Sequence, residues 1–149
     1  MDIDYQIVKG RVPEARLSGL AALHKEIFGP TISRADLRRR LLRKRSLVCI
    51  LATSREKLIG YKIGYERNTD EFFSWLGGVK KDFRRRGLAS EMMRRQHALV
   101  RTLGYRRIVT ESGNEWREMI ILNLRNDFDI VGSSTDDQGR PKVLMAKNL

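Results

Sequence analysis

The segment that most limits the fold of this chain runs from Glu71 to Ala89. A strand-like stretch, Glu71–Val79 with the glycine pair Gly77-Gly78, empties through the basic loop Lys80-Lys81-Asp82-Phe83-Arg84-Arg85-Arg86 into a helix opening at Gly87-Leu88-Ala89. That helix places Leu88, Met92, Leu99 and Leu103 on one side, is closed by Gly104, and gives way to a second strand-like run, Arg107–Glu111. A strand, a helix and a strand in succession make a crossover that sets the two strands parallel. The same segment points to an anion. The unpaired N–H groups of a helix's first turn, backed by the helix dipole, aim at whatever precedes the helix, and small residues there admit a ligand to the backbone. Gly87 and Ala89 leave that room, and Arg84, Arg85 and Arg86 add charge and bidentate donors suited to phosphate. An arginine run in isolation reads as a solvated loop. The glycine pair has two compatible readings, a bulge or close-packing point and a bare stretch along which a ligand hydrogen-bonds to the strand.

The rest of the chain falls into place around this unit. Ile3, Tyr5 and Ile7 alternate as an opening strand, and from Pro13 the positions Leu17, Leu20, His24 and Ile27 follow helical spacing up to Gly29-Pro30. Ser33 and Asp36 form a capping-box-like start for a short basic helix with Leu37 and Leu41 on its buried side. Three strand-like runs, Leu47–Thr53, Leu58–Glu66 and Glu71–Val79, fit an antiparallel meander. Asn114–Arg125 reads as a second amphipathic helix, and Asp129–Ser134 pairs with Lys142–Lys147 across a turn containing Asp136, Asp137 and Gly139. The expected order is therefore β, α, α, β, β, β, α, β, α, β, β: a mixed α/β (α+β) fold, with all 149 residues expected in a single domain.

The longest apolar run, Leu47–Ala52, falls far short of the ~18 residues of a membrane helix, so no membrane partner is expected. Met1-Asp2-Ile3-Asp4-Tyr5 lacks the basic-then-apolar plan of a signal peptide, which makes the cytoplasm the expected compartment. Cys49, the single cysteine, lies inside that apolar run and reads as a core residue.

Arg84-x-x-Gly87-x-Ala89, following the Gly77-Gly78-Val79 strand, resembles the Gln/Arg-x-x-Gly-x-Gly/Ala acetyl-CoA motif of the GNAT N-acetyltransferase superfamily. The element order resembles that family's whole fold, a mostly antiparallel twisted sheet splayed at one parallel strand pair and flanked by helices. Leu122–Phe128 occupies the place of its closing helix and Gly-Phe turn. The resemblance implies acetyl-CoA as co-substrate and no metal. It implies pyrophosphate contacts to Arg84, Arg85, Arg86, Gly87, Leu88 and Ala89, pantetheine contacts to Gly78 and Val79, and an acyl slot where the strand leaves its parallel neighbour. Asn114 and Asn123 are further candidate contacts, with a helix cap the favoured reading of Asn114. The implied reaction is direct attack of a primary amine on the thioester in a ternary complex.

Magnitudes say which catalytic group matters most. Deprotonating a lysine-like ammonium of pKa ~10.4 at neutral pH costs ~4.6 kcal/mol, whereas releasing a thiolate of pKa ~8.5 involves only ~2 kcal/mol. A base therefore matters more than an acid. The glutamate base of histone-acetylating relatives would fall at Phe73, so Glu66, Glu71 and Glu111 are the candidate bases. Where many relatives carry a tyrosine that protonates the departing sulfur, this chain has Asn123, and Asp127 replaces the glycine of the turn. Asn123 can hydrogen-bond the sulfur or a water without acting as an acid; otherwise it is a polar residue on the exposed side of its helix. His97 is expected exposed or half-buried among Arg94, Arg95 and Arg101 and is left out of the site. Phe72, Phe73 and Trp75 read as core with one face able to line the acceptor slot, and Trp116 either closes over an acceptor or packs.

Thirty basic residues against eighteen acidic ones give a net charge of +12. Arg38-Arg39-Arg40 and Arg43-Lys44-Arg45 crowd one short helix, which raises an alternative role as a nucleic-acid-associated protein. Aromatics do not interleave with that run as a stacking platform would. A CoA-binding protein without turnover is the other alternative, motivated by the missing tyrosine and glutamate. A positive field also disfavours cationic acceptors unless local acid such as Asp70 and Glu71 receives them. A monomer and a homodimer are equally compatible with the sequence.

Overall fold

A computed structural model describes residues 2–30 and 32–149. The chain runs β1 (Asp4–Lys9), α1 (Glu14–Phe28), α2 (Arg34–Leu42), β2 (Val48–Ser54), β3 (Lys57–Glu66), β4 (Glu71–Val79), α3 (Leu88–Thr102), β5 (Arg107–Gly113), α4 (Arg117–Arg125), β6 (Asp129–Thr135) and β7 (Pro141–Asn148). This is the order the sequence predicts. Short 3-10 turns at Lys81–Phe83 and Asn114–Trp116 precede α3 and α4. Local chemistry sets the boundaries. Gly29, at φ +81°, ends α1, and the Ser33 hydroxyl accepts the Asp36 amide at 3.1 Å to start α2.

The sheet is seven-stranded in the order β1-β2-β3-β4-β5-β7-β6. Every pairing is antiparallel except β4 with β5. β2 has helices on both faces, which is why its sequence is a continuous apolar run rather than an alternating one. Val48, Ile50 and Ala52 join Met92, Met93 and Val100 beneath α3. Cys49 and Leu51 join Leu17, Leu20 and Leu41 beneath α1 and α2.

β4 carries a bulge. Leu76 pairs with Ile63 and Ser74 with Gly64, leaving Trp75 as the extra residue between them. Trp75 and Leu76 consequently both pack into the cluster beneath α1. Gly64 permits this. A Cβ there would lie 2.3 Å from Phe72 Cε1 and 2.6 Å from the Phe73 carbonyl oxygen. Gly64→Ala should therefore cost about 1–3 kcal/mol by overpacking, read as a lower urea midpoint at unchanged slope; an unchanged midpoint would show that the bulge tolerates a side chain.

His97 departs from its expected exposed or half-buried place. It is 6% exposed on α3, its ring meets Phe128 at 5.6 Å, and the Lys147 ammonium donates to its Nδ1 at 3.3 Å. Burial, then the charges of Lys62 and Lys147, push its pKa down to about 3. The unfolded chain takes a proton near the ordinary value of 6.5 and the folded chain does not, so stability is full above that pH and falls as pH drops toward 3. The slope approaches about 1.4 kcal/mol per unit. Urea midpoints between about pH 6.5 and about pH 5 should fall for the wild type and fall less for His97→Gln; equal slopes would contradict a neutral buried His97.

Candidate active site

β4 and β5 are paired only from Glu71–Arg107 through Phe73–Val109. One further link follows, the Thr110 hydroxyl donating to the Ser74 carbonyl at 2.9 Å. The other end is held by the Arg106 and Arg107 amides on the Asp70 carbonyl, at 2.8 and 3.2 Å. Beyond Ser74 the strands part, and a cleft of about 380 Å³ opens between them. Residues from both sheet faces line it: His24, Phe28 and Trp116 on the α1 side, Lys62, Ser74 and Asn123 on the α3 and α4 side.

The two glycines of β4 do different work. A Cβ on Gly78 would stand 2.6 Å from Ile27 Cδ1, so Gly78 lets α1 pack directly on the strand. Gly77 lines the cleft, where a Cβ would meet nothing nearer than the Tyr61 carbonyl oxygen at 3.4 Å. Val79 is buried with the α3 core, so only its backbone is available to a ligand.

From Val79 the chain enters the basic loop. The Arg84 Nε donates to the Val79 carbonyl at 2.9 Å, bracing the loop from within, and the Arg86 guanidinium lies 5.5 Å from the Phe83 ring centre. Arg85 and Gly87 take left-handed conformations, φ +61° and +80°. Gly87 is the N-cap residue of α3, and no side chain caps that first turn. Leu88 is buried and Ala89 packs against the core, so their contribution toward the loop is their amides. An uncapped helix start and a run of three arginines thus follow directly on the end of β4.

The three glutamates are not brought together. Glu66 accepts from the Tyr105 hydroxyl at 3.0 Å and lies 3.6 Å from Arg45. Glu71 takes Arg107 at 3.2 Å and the Asn68 amide at 2.8 Å. Both stand at the paired end of β4, outside the cleft lining. Glu111 lines the cleft, with the Lys142 ammonium at 3.7 Å. Ile108 turns into the α3 core and the register of β5 is unbroken from Arg107 to Gly113, so alternation puts Glu111 on the opposite, α1 face of the sheet.

Asn123 is 4% exposed and faces the cleft, so the alternative of a solvent-facing helix position is corrected. The helix reading of Asn114 is corrected too. α4 starts three residues later, at Arg117, because Asn114–Trp116 is a 3-10 turn, and neither that turn nor α4 has a side-chain cap. Asn114 itself is exposed and outside the cleft lining. Trp116 packs and flanks the cleft at once: its ring meets Phe28 edge-on at 4.8 Å while 41% of the residue stays exposed.

Two features escaped the sequence reading. His24 and Tyr61 meet at 2.7 Å beneath α1. Lys62, 6% exposed, donates to the Ser74 hydroxyl at 3.0 Å, and burial pulls its pKa down to about 8. The available signal was a lysine inside Leu58–Tyr65, a run otherwise free of charge. The basic face of α2 is partly neutralised within the fold, since Arg34 and Arg38 reach Glu14 at 3.8 and 2.7 Å and Arg39 pairs with Asp36.

Residues 17–117 match the model of the Acetyltransferase (GNAT) family. The chain belongs to the GNAT acetyltransferases. Solved structures carry the same fold across nearly the whole chain. The PaiA N-acetyltransferase of Thermoplasma acidophilum, in complex with coenzyme A, is 11% identical over 100% of both chains at a TM-score of 0.79. A GNAT acetyltransferase of Elizabethkingia anophelis with acetyl-CoA bound is 15% identical over 97% of this chain and 98% of its own, at 0.72. The ribosomal-protein-S18-alanine N-acetyltransferase of Escherichia coli is 14% identical over 96% and 94%, at 0.78. Among curated protein sequences none matches. No described helix of this GNAT chain is long and apolar enough to cross a membrane.

Proposed function

We propose that this GNAT chain moves an acetyl group from acetyl-CoA to a primary amine by direct attack in a ternary complex. One observation supports the reading: the uncapped start of α3 at Gly87 follows the end of β4 beyond the point where it leaves β5, so a helix start suited to an anion and the cleft between the strands share one strand. The amides of Gly87, Leu88 and Ala89 hold the pyrophosphate, with Arg85 and Arg86 beside it. The backbone of Gly78 and Val79 receives the pantetheine. Glu111, the cleft-lining candidate among the three glutamates, takes the acceptor's proton directly or through water. Asn123 hydrogen-bonds the sulfur or the thioester oxygen from the opposite face.

Calorimetric titration with acetyl-CoA, followed by detection of CoA thiol over a panel of primary amines, tests this. Saturable binding and amine-dependent thiol release are expected. Absence of binding would defeat the cofactor assignment, and binding without release on any amine would defeat the transferase assignment.

A further inference from the structure

The cleft contains a buried cation to which the family resemblance gives no role. Lys62 sits opposite Gly77 in the β3–β4 ladder, and its side chain reaches along the sheet to Ser74. Phe73 is the last residue of β4 paired with β5, so the ammonium lies at the apex where the strands part. Gly77 places no side chain over it, since even an added Cβ would stand 3.8 Å from Lys62 Cγ. Among the described residues Lys62 has no carboxylate partner; its one hydrogen bond is to a neutral hydroxyl. A buried ammonium without a counter-charge is costly, and a fold that keeps one inside a ligand cleft gains most when the ligand supplies the negative charge.

Resting on the acetyl-CoA reading above, we propose that Lys62 is the proton donor to the departing CoA thiolate, in place of the tyrosine that relatives carry where this chain has Asn123. As the acceptor nitrogen bonds to the thioester carbon, the C–S bond breaks with its electron pair on sulfur. One proton passes from Lys62 Nζ to that sulfur, giving CoA thiol and a neutral lysine. The surplus proton of the acceptor nitrogen leaves toward Glu111, and water reprotonates Lys62 before the next turnover. Proton transfer works best between groups of matched pKa; a thiol ordinarily titrates at ~8.5, and burial has brought Lys62 to about 8. The faces also agree: Tyr61 and Ile63 turn to α1, so Lys62 turns to the α3 side, and Ile108 turns to α3, so Glu111 turns to the α1 side.

The groups around Lys62 do not obscure its titration. Ser74 on β4 and Asn123 on α4 are uncharged. His97 on α3 is held neutral down to about 3, with Lys147 of β7 against it. Glu111 on β5 is matched by Lys142, and His24 on α1 is shifted down by burial and then by Arg40.

The test titrates the ultraviolet thiolate absorbance of CoA bound to wild type, Lys62→Met and Lys62→Arg, with desulfo-CoA affinity measured alongside. Bound to wild type, the thiol should ionise about one unit or more below its free value of ~8.5, a tenfold gain in thiolate, and the shift should vanish in Lys62→Met. Lys62→Arg should keep the shift but slow thiol release, because a guanidinium retains its proton. An unshifted thiol in wild type, or the same shift in Lys62→Met, overturns the role of Lys62 provided both proteins bind desulfo-CoA. Tighter binding of succinyl-CoA than acetyl-CoA that disappears in Lys62→Met also overturns it, by making Lys62 a reader of acyl carboxylates. Failure of wild type to bind desulfo-CoA counts against the cofactor reading instead.

Discussion

Gly87→Val is expected to weaken CoA binding at least about a hundredfold while the fold survives. Space is not the obstacle, because an added Cβ at Gly87 meets nothing within 4 Å. The obstacle is the backbone at φ +80°, where a β-branched residue is strained by about 1–3 kcal/mol. The first turn of α3 relaxes by rotating, and its amides lose their common aim. Two charge-assisted hydrogen bonds lost at about 1.5–3 kcal/mol each correspond to a hundredfold or more in affinity. Strain at one loop residue should lower Tm by only about 2–4 °C per kcal/mol in a chain of this size. Calorimetry with CoA beside a thermal melt separates the two effects. Arg84→Ala should weaken binding less, because its Nε serves the Val79 carbonyl. Undiminished affinity in Gly87→Val would remove the pyrophosphate site from α3.

Glu111→Gln should reduce amine-dependent thiol release by roughly a hundredfold or more at neutral pH, leaving CoA affinity unchanged. The loss follows from the amine's proton, whose removal is the larger part of the chemical cost. The deficit has a required pH dependence. As pH rises toward the acceptor's own pKa, between ~8 for an α-amine and ~10.4 for a lysine, the amine arrives deprotonated and wild type and variant converge. Glu66→Gln and Glu71→Gln should remain within about twofold of wild type, since both carboxylates are engaged at the paired end of the strands. A constant deficit across pH would make Glu111 a binding residue rather than a base.

Much of this architecture was legible because local rules and the global fold agree. The Gly29 and Gly104 stops, the Ser33 cap and the continuous apolar run of β2 each have a local cause that is visible in sequence. The left-handed turn into α3 was legible for the same reason, because glycine marks such a backbone at Gly87. What escaped depended on contacts between distant elements. The face of α4 that Asn123 occupies is settled by the cleft, not by the helix's own pattern. His97 is buried because Phe128 and Lys147, from the chain's last third, close over it. The bulge at Trp75 was invisible because Phe72, Phe73, Trp75 and Leu76 are all apolar, so an extra residue leaves no break in the sequence pattern. Three glutamates looked equivalent because spacing does not tell the paired end of a strand from its splayed end.

That one extra residue in β4 fixes the phase of everything after it. With it, Leu76 and Gly78 turn to α1, while Gly77 turns to Lys62 and Val79 to the α3 core. Were the same strand to pair without its offset, each of these would change sides: Leu76 would stand opposite the lysine, and Val79 would turn from the α3 core to the α1 side. Because strand faces alternate with a period of two, loss of the offset inverts every residue of β4 beyond Trp75 at once, so the cleft stands or falls as a unit.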